Sequence, residues 1–588
     1  MIDLWSGSCI LRVGRRLAEG VAATARQSLI LGRRPLDGPM EKSGLAAMLR
    51  RIHPMEAAVG GMAKSGLLGW LYDYWGSLSA TPVKGLIFLL APLFFLLSAR
   101  MLLAGRMAMC GILLGVLGLS LLLLWAKGTL GGWLKGSLLG RRLPLPEGSA
   151  KRSTLIYLAV CGLLGGGLGW FAGVTYGVAA ALALALLPAV VRIPPAWMLC
   201  LLLGLLPVLG TAACWGLSAM VVLVYFFARA FGGLSGKRIN GLDLMLAVFP
   251  LLCIVSTVFS VAFADSAKVT VMWLGLYLAV PLVRRIVTDR KKLAAALTAL
   301  TAGAAAAGLY GLYQYLSGMT NDTWTDTALF NNIQLRVYST FANPNVYGEF
   351  LLLTIPLVAG FALYMKGTKR WLLLAVDGLL AVNMVLSYSR GCYVGIALTA
   401  LVFLWYFSKK WLAVAAVIGI PLGMMLMPES VMARILSIGN MSDTSTNYRI
   451  MIYIGTFLMF ADFWFGGVGI GERAYNTIYP FYALPEVTAQ HSHSLIFQSV
   501  VSFGVVGPVY LLTLWGSFQR RMVRVYRELP RRERWLMCGF CSVLWGMLVQ
   551  SIFDYTWYNY RVFQLFWLVI ALGYAAAEVL LERRDQDD

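Results

Sequence analysis

Five side chains in this chain have the types and placing to do chemistry together. Two are histidines two positions apart, in Gln490-His491-Ser492-His493-Ser494; the only other histidine is His53. A neutral imidazole where a polar segment re-enters an apolar run is a good general base for a hydroxyl, and His493 is the first candidate with His491 as the alternative. A metal site needs three or four ligands, and no acid nearby has ligand spacing, so no metal is expected. Three are arginines, Arg336, Arg390 and Arg449, which lie outside the Lys/Arg-rich blocks of the chain. Their bland reading is ion pairs to Asp326, Glu429, Asp443 or Glu472, or contacts with lipid phosphates. Asn343-Pro344-Asn345 reads as a helix start, with Asn343 as the cap and Pro344 as the first helical residue. A helix N-terminus there favours a nearby anion.

The elements that must position these residues are membrane helices. Of 588 residues, 59% are apolar and only 13% charged, and the mean hydropathy is +0.74. Long apolar runs without strict alternation exclude a soluble enzyme, a coiled coil, a disordered chain and an outer-membrane barrel. The expected fold is all-α and polytopic, with about 14–16 transmembrane helices. Spans are expected near 85–99, 107–126, 154–172, 174–191, 195–209, 211–229, 242–264, 269–283, 293–316, 346–365, 371–387, 391–407, 411–427, 494–518, 535–553 and 561–582. The net charge of +22 sits in short blocks between these runs, which is the pattern of cytoplasmic loops and anionic lipid contacts, not of nucleic-acid binding. Cys538 and Cys541 form an isolated CxxC within an apolar run and read as small hydrophobes.

Placing the basic blocks inside puts both termini in the cytoplasm. Residues 1–82 form a basic cytoplasmic or interfacial arm, 83–335 the first group of transmembrane helices, and 508–588 the last group with a cytoplasmic tail. Residues 336–507 form the catalytic region. The apolar stretch 450–465 is read as a helix at the outer interface, because a span there would put the block Arg520 to Arg534 outside. Residues 428–492 then form a large extracytoplasmic helical loop, and Arg336, Arg390, Arg449 and His493 meet on one membrane side from four chain segments. Positive-inside placement depletes outer loops of Arg, so these arginines require a reason.

At these residues the chain resembles the O-antigen ligase / O-antigen polymerase superfamily of bacterial membrane glycosyltransferases. Arg336-Val-Tyr-Ser-Thr-Phe-Ala-Asn-Pro-Asn345, Leu386-Ser-Tyr-Ser-Arg390-Gly391, Arg449 followed by Gly466-Gly-Val-Gly-Ile-Gly471, and His493-Ser494-Leu495 followed by Gly504-Val-Val-Gly507 resemble its four conserved patches in order. Ser494 stands where the family usually has Asn. The resemblance implies a GT-C-like fold in the cytoplasmic (inner) membrane. It implies a glycan donor on undecaprenyl pyrophosphate at the outer leaflet, a lipid (lipid A core) or glycan acceptor, and no cofactor or metal. Arg390 and Arg449 would then clamp the pyrophosphate, with Arg336 third, and Asn343, Asn345 and His491 would line the substrate site. His493 would be the base of an inverting transfer. Ligase and polymerase share this donor and differ in what supplies the hydroxyl.

The main rival reading is a transporter, which would place ionisable groups at mid-bilayer. The mid-span charges here, Glu349 and Asp377, have no obvious partner in the sequence, and the polar residues concentrate at the outer face. A scaffold for envelope assembly is the third reading.

Overall fold

The computed structural model describes residues 54–136, 149, 151–319, 336–426, 428–436, 444–485 and 487–582. Most of the expected arm and of the loop after Leu316 therefore lies outside the described residues. Within them the chain is α-helical, with one isolated bridge between Pro82 and Thr129. It is an all-α polytopic membrane protein.

Eleven helices among the described residues are long and apolar enough to cross a membrane by length and composition. A helix rises 1.5 Å per residue, so 20 residues cover a hydrocarbon core of about 30 Å. Five of the expected spans do not meet that standard, each for a visible reason. Val174–Val190 and Pro195–Leu205 are short. Thr368–Leu386 carries Lys369, Arg370 and Asp377. The 411–427 stretch is interrupted by a π-turn at Ala415–Gly419. The expected span 494–518 is two helices, Leu495–Phe503 and Val506–Glu528, and this corrects the sequence reading. The break is at Gly504, whose φ of 65° is left-handed and whose missing Cβ would lie 1.9 Å from the Phe465 carbonyl oxygen. Only glycine tolerates both conditions. All but the last two residues of the 450–465 stretch lie in one 20-residue helix, Thr444–Phe463, which is not among the eleven.

The chain divides into two compact units. One comprises the described residues from Pro54 to Met198 together with Leu223–Gly236. In it, Arg152–Ala172 packs on Ile87–Leu103 and Val174–Val190 through Gly162, Gly165 and Gly169, the small-residue contact typical of helices in lipid. The other unit comprises Leu199–Val222 and the described residues from Lys237 onward, and holds every candidate site residue. Its centre is built from Pro344–Tyr364, Arg531–Phe553 and Tyr560–Leu581, the most buried of the candidate spans. Arg531–Phe553 packs against both Pro344–Tyr364 and Arg390–Phe407.

One end of this central group is basic. There Arg532 Nε donates to the Tyr364 carbonyl at 2.7 Å, and Lys409 follows Arg390–Phe407. Arg284 bridges Asp243 and Glu578, and Arg290 pairs with Glu533. The opposite ends of the same helices carry the candidate site.

Candidate active site

Three helix N-termini and one C-terminus build the site. Asn343 caps Pro344–Tyr364 as expected: its Oδ1 accepts the Asn345 N–H at 2.8 Å and the Val346 N–H at 3.4 Å. Arg390 is the first residue of Arg390–Phe407, after Ser389. Ser494 caps Leu495–Phe503, accepting from Phe497 N–H at 3.5 Å while donating to the Ser551 carbonyl at 3.2 Å. A serine can therefore fill the place where an Asn was expected, since both residue types cap helices. The fourth element, Arg531–Phe553, ends at Asp554.

Asp554 is the group that joins them. Its Oδ2 lies 3.5 Å from Arg449 Nη2 and accepts from Asn345 Nδ2 at 3.4 Å. Its Oδ1 faces His493 Nδ1 across 3.6 Å and accepts the Tyr555 N–H at 2.9 Å. Arg449 also donates to the Phe553 carbonyl at 3.0 Å. Burial opposes ionisation of Asp554, but the Arg449 guanidinium, then His493 and His491, hold its carboxyl well below the usual carboxylate range. Arg336 is buried; its Nε donates to the Ser387 carbonyl at 3.1 Å and its Nη2 to Asn345 Oδ1 at 3.0 Å. It thereby ties the Asn-Pro-Asn segment to the turn before Arg390.

The histidines are held differently from one another. His491 Nδ1 accepts the His493 backbone N–H at 3.2 Å, and the two rings lie 4.3 Å apart. The His491 ring also packs 5.4 Å from those of Tyr555 and Tyr558. Burial and then the neighbouring His493 push the His491 imidazole down to about 4, so it is neutral at physiological pH. Tyr453 OH donates to the His493 carbonyl at 3.0 Å.

Two adjoining cavities share these walls. The larger, about 910 Å³, is lined by Asn343, Asn345, Glu349, Arg449, His491, His493 and Asp554, with Tyr448, Tyr479, Tyr555 and Tyr558. The smaller, about 60 Å³, is lined by Arg336, Asn345, Ser389, Arg390, Gly391, Arg449 and Gln550. Asn345 and Arg449 line both. All seven sequence-predicted residues thus line one cavity or the other.

Four residues of the site were not anticipated. Asp554, Tyr555 and Tyr558 lie in a short connection between two spans, and Gln550 on the apolar run before it. Asp554 had one usable signal, a lone charge in a short turn. Glu349, read in the sequence as a mid-span charge without a partner, accepts from Gln550 Nε2 at 3.2 Å and faces the large cavity. Among the described residues the acid that pairs with Arg449 is Asp554, not Glu429 or Glu472; Asp326 and Asp443 lie outside the described residues.

The backbone is strained at the same place. Among the described residues, four non-glycines adopt left-handed φ: Ser339 (50°), Ala342 (60°), Tyr388 (50°) and His493 (49°). Each lies within four residues of a site residue or is one. Such strain costs about 1–2 kcal/mol per residue and persists where surrounding contacts over-determine it. The loop is anchored by the glycine segment 466–471: Val468 N–H donates to the Val501 carbonyl at 2.7 Å, and Val261 N–H to the Val468 carbonyl at 3.1 Å. A Cβ on Gly467 or Gly469 would lie 2.4 Å from the Val501 oxygen or 2.1 Å from Ser260 Oγ. This close contact fixes the end of the helix that carries Arg449 against the one that follows His493.

No curated protein matches the chain. A family model described as O-antigen ligase matches residues 375–512, a stretch that contains Arg390, Arg449, His491 and His493. Arg336, the Asn-Pro-Asn segment and Asp554 lie outside it. That region, under a quarter of the chain, is similar to the O-antigen ligase family.

Proposed function

We propose that this protein transfers a glycan from undecaprenyl pyrophosphate to an acceptor hydroxyl, on lipid A core or another cell-surface acceptor. The reaction is at the outer face of the bacterial cytoplasmic membrane, inverting and metal-independent. The observation that carries this reading is the sharing of Asp554 by Arg449, Asn345 and His493 at the wall between a small arginine-lined cavity and a large one. That is an anion site beside an imidazole whose Nδ1 faces the same carboxylate.

The small cavity takes the leaving pyrophosphate. Arg390 and Arg449 face it with permanent positive charge and a planar fork suited to phosphate oxygens, and Arg336 adds charge behind them. The large cavity takes the sugars. His493 directs Nδ1–H at Asp554, which leaves Nε2 to accept the acceptor hydroxyl proton. The acceptor oxygen bonds to the anomeric carbon from the face opposite the pyrophosphate. The anomeric C–O bond to phosphate breaks, and its electron pair leaves with undecaprenyl pyrophosphate. The arginines stabilise that developing charge as a metal ion does in other transferases. Asp554 stabilises the imidazolium formed on His493.

The test is transfer by purified protein in proteoliposomes, with lipid-linked glycan extracted from the producing cell. Transfer is expected to survive EDTA. Loss on chelation with rescue by Mg²⁺ or Mn²⁺ would sink the arginine mechanism, and ion flux without transfer would replace the enzyme by a transporter. His493→Ala is expected to keep donor binding while turnover falls by about 10²–10⁴-fold. Arg390→Ala is expected to weaken both, with Lys restoring only part, because it lacks the fork.

A further inference from the structure

His491 occupies the heart of the site, yet its geometry excludes it from the base role that the sequence left open. Its Nδ1 lone pair is engaged by the His493 backbone N–H at 3.2 Å. In a neutral imidazole one nitrogen accepts and the other carries the proton. The proton of His491 is therefore on Nε2, and no free lone pair remains to take one from an acceptor. The contact it makes is instead aimed at a strained position: His493 has φ 49°, a left-handed conformation that is costly for a non-glycine residue and that surrounding contacts hold.

We propose that His491 is a positioning residue that holds His493 in this left-handed backbone conformation through its Nδ1, and so aims the His493 imidazole at Asp554. The proposal rests on the reading of His493 as the base. Three further contacts hold the neighbouring backbone. Tyr453 holds the His493 carbonyl. Ser492 N–H donates to Gln498 Oε1 at 2.9 Å, and Ser492 Oγ donates to the Ser494 carbonyl at 2.9 Å. Among the described residues, only His491 satisfies the N–H of His493 itself. The 3.6 Å between His493 Nδ1 and Asp554 Oδ1 depends on the backbone that carries the ring. The i to i+2 pattern is that of an Asx-turn, in which an Asn side-chain oxygen accepts the N–H two residues on. Asn Oδ1 stands on Cγ, as His Nδ1 does, so Asn can replace the acceptor while removing the ring. Phe does the reverse: it keeps the packing on Tyr555 and Tyr558 and removes the acceptor.

The two substitutions separate the roles. In the proteoliposome transfer assay, His491→Asn is expected to lose no more than about fivefold in kcat, and His491→Phe at least about fiftyfold with unchanged donor-lipid affinity. His493→Ala is measured beside them. Phe as active as Asn, with His493→Ala inactive, overturns the positioning role and leaves the base in place. Asn as inactive as Phe also overturns it, because the acceptor would then not be what matters. Wild-type turnover in His493→Ala removes the reading on which the proposal rests.

Discussion

Asp554 has one carboxylate and serves an arginine, an asparagine and a histidine with it, so its removal should affect turnover more than fold. Asp554→Asn keeps the shape and one acceptor oxygen but not the charge that balances Arg449 and an imidazolium on His493. Turnover is expected to fall about 10²-fold in the transfer assay, with donor binding within a few fold of wild type. Unchanged turnover would mean that the 3.6 Å approach to His493 is incidental. His491 gives a prediction in pH. Its folded value of about 4 lies below the unfolded value of about 6.5. Between the two, the unfolded chain binds a proton that the folded chain does not, so stability falls as pH drops through that window. The apparent melting temperature in detergent should fall less between pH 6.5 and 4 in His491→Asn than in wild type. Asp554, depressed in the fold, loses its contribution only at lower pH and does so in both proteins. Equal slopes would place the His491 imidazole in water. The histidines and arginines were legible in the sequence because isolated cations and a loop-end imidazole stand out against apolar runs. Asp554 was not, because it sits between Phe553 and Tyr555 with no spacing to mark it. Its partners come from 105 and 61 residues away in the chain (554 − 449 and 554 − 493).

Helices whose apolar runs end in charge, such as Arg152–Ala172 and Arg531–Phe553, began and ended near their expected positions. Hydropathy carries that information directly. It carries none about φ, which is why 494–518 reads as one span although Gly504 breaks it. The break is functional geometry: Val505 N–H donates to the Trp464 carbonyl at 2.7 Å, so the chain turns where the loop returns to the membrane helices. Gly504→Ala must relieve both a left-handed φ and a Cβ placed 1.9 Å from the Phe465 oxygen. It is expected to destabilise the protein by about 2–3 kcal/mol or more, or to abolish folding. Gly466 is the control, since a Cβ there meets nothing within 4 Å. Thermal unfolding of the two variants in detergent measures the difference, and equal melting temperatures would show that the 504–505 break is not held as described.

At the scale of the whole central unit, charge and chemistry separate along the helix axes. Pro344–Tyr364 and Arg390–Phe407 start at the site, and Arg531–Phe553 ends there. At the other end lie Lys366, Lys369, Arg370, Lys409 and Lys410, with Arg531, Arg532 and Arg534. Short loops rich in Lys and Arg stay in the cytoplasm, and on that rule we propose that the basic end faces the cytoplasm and the site faces outward. The arginines of the site, Arg336, Arg390 and Arg449, lie at the opposite end, each against an acid, a carbonyl or a cavity wall. The prediction is a labelling pattern. Thr477 and Phe481 are exposed on the loop beside the large cavity, and Lys369 is exposed at the basic end. In spheroplasts, a membrane-impermeant thiol reagent should label Thr477→Cys and Phe481→Cys above the wild-type background, and should reach Lys369→Cys only after lysis. The reverse pattern would put the cavity in the cytoplasm, where a flipped lipid-linked donor is not presented, and would overturn the proposed reaction while leaving the fold untouched.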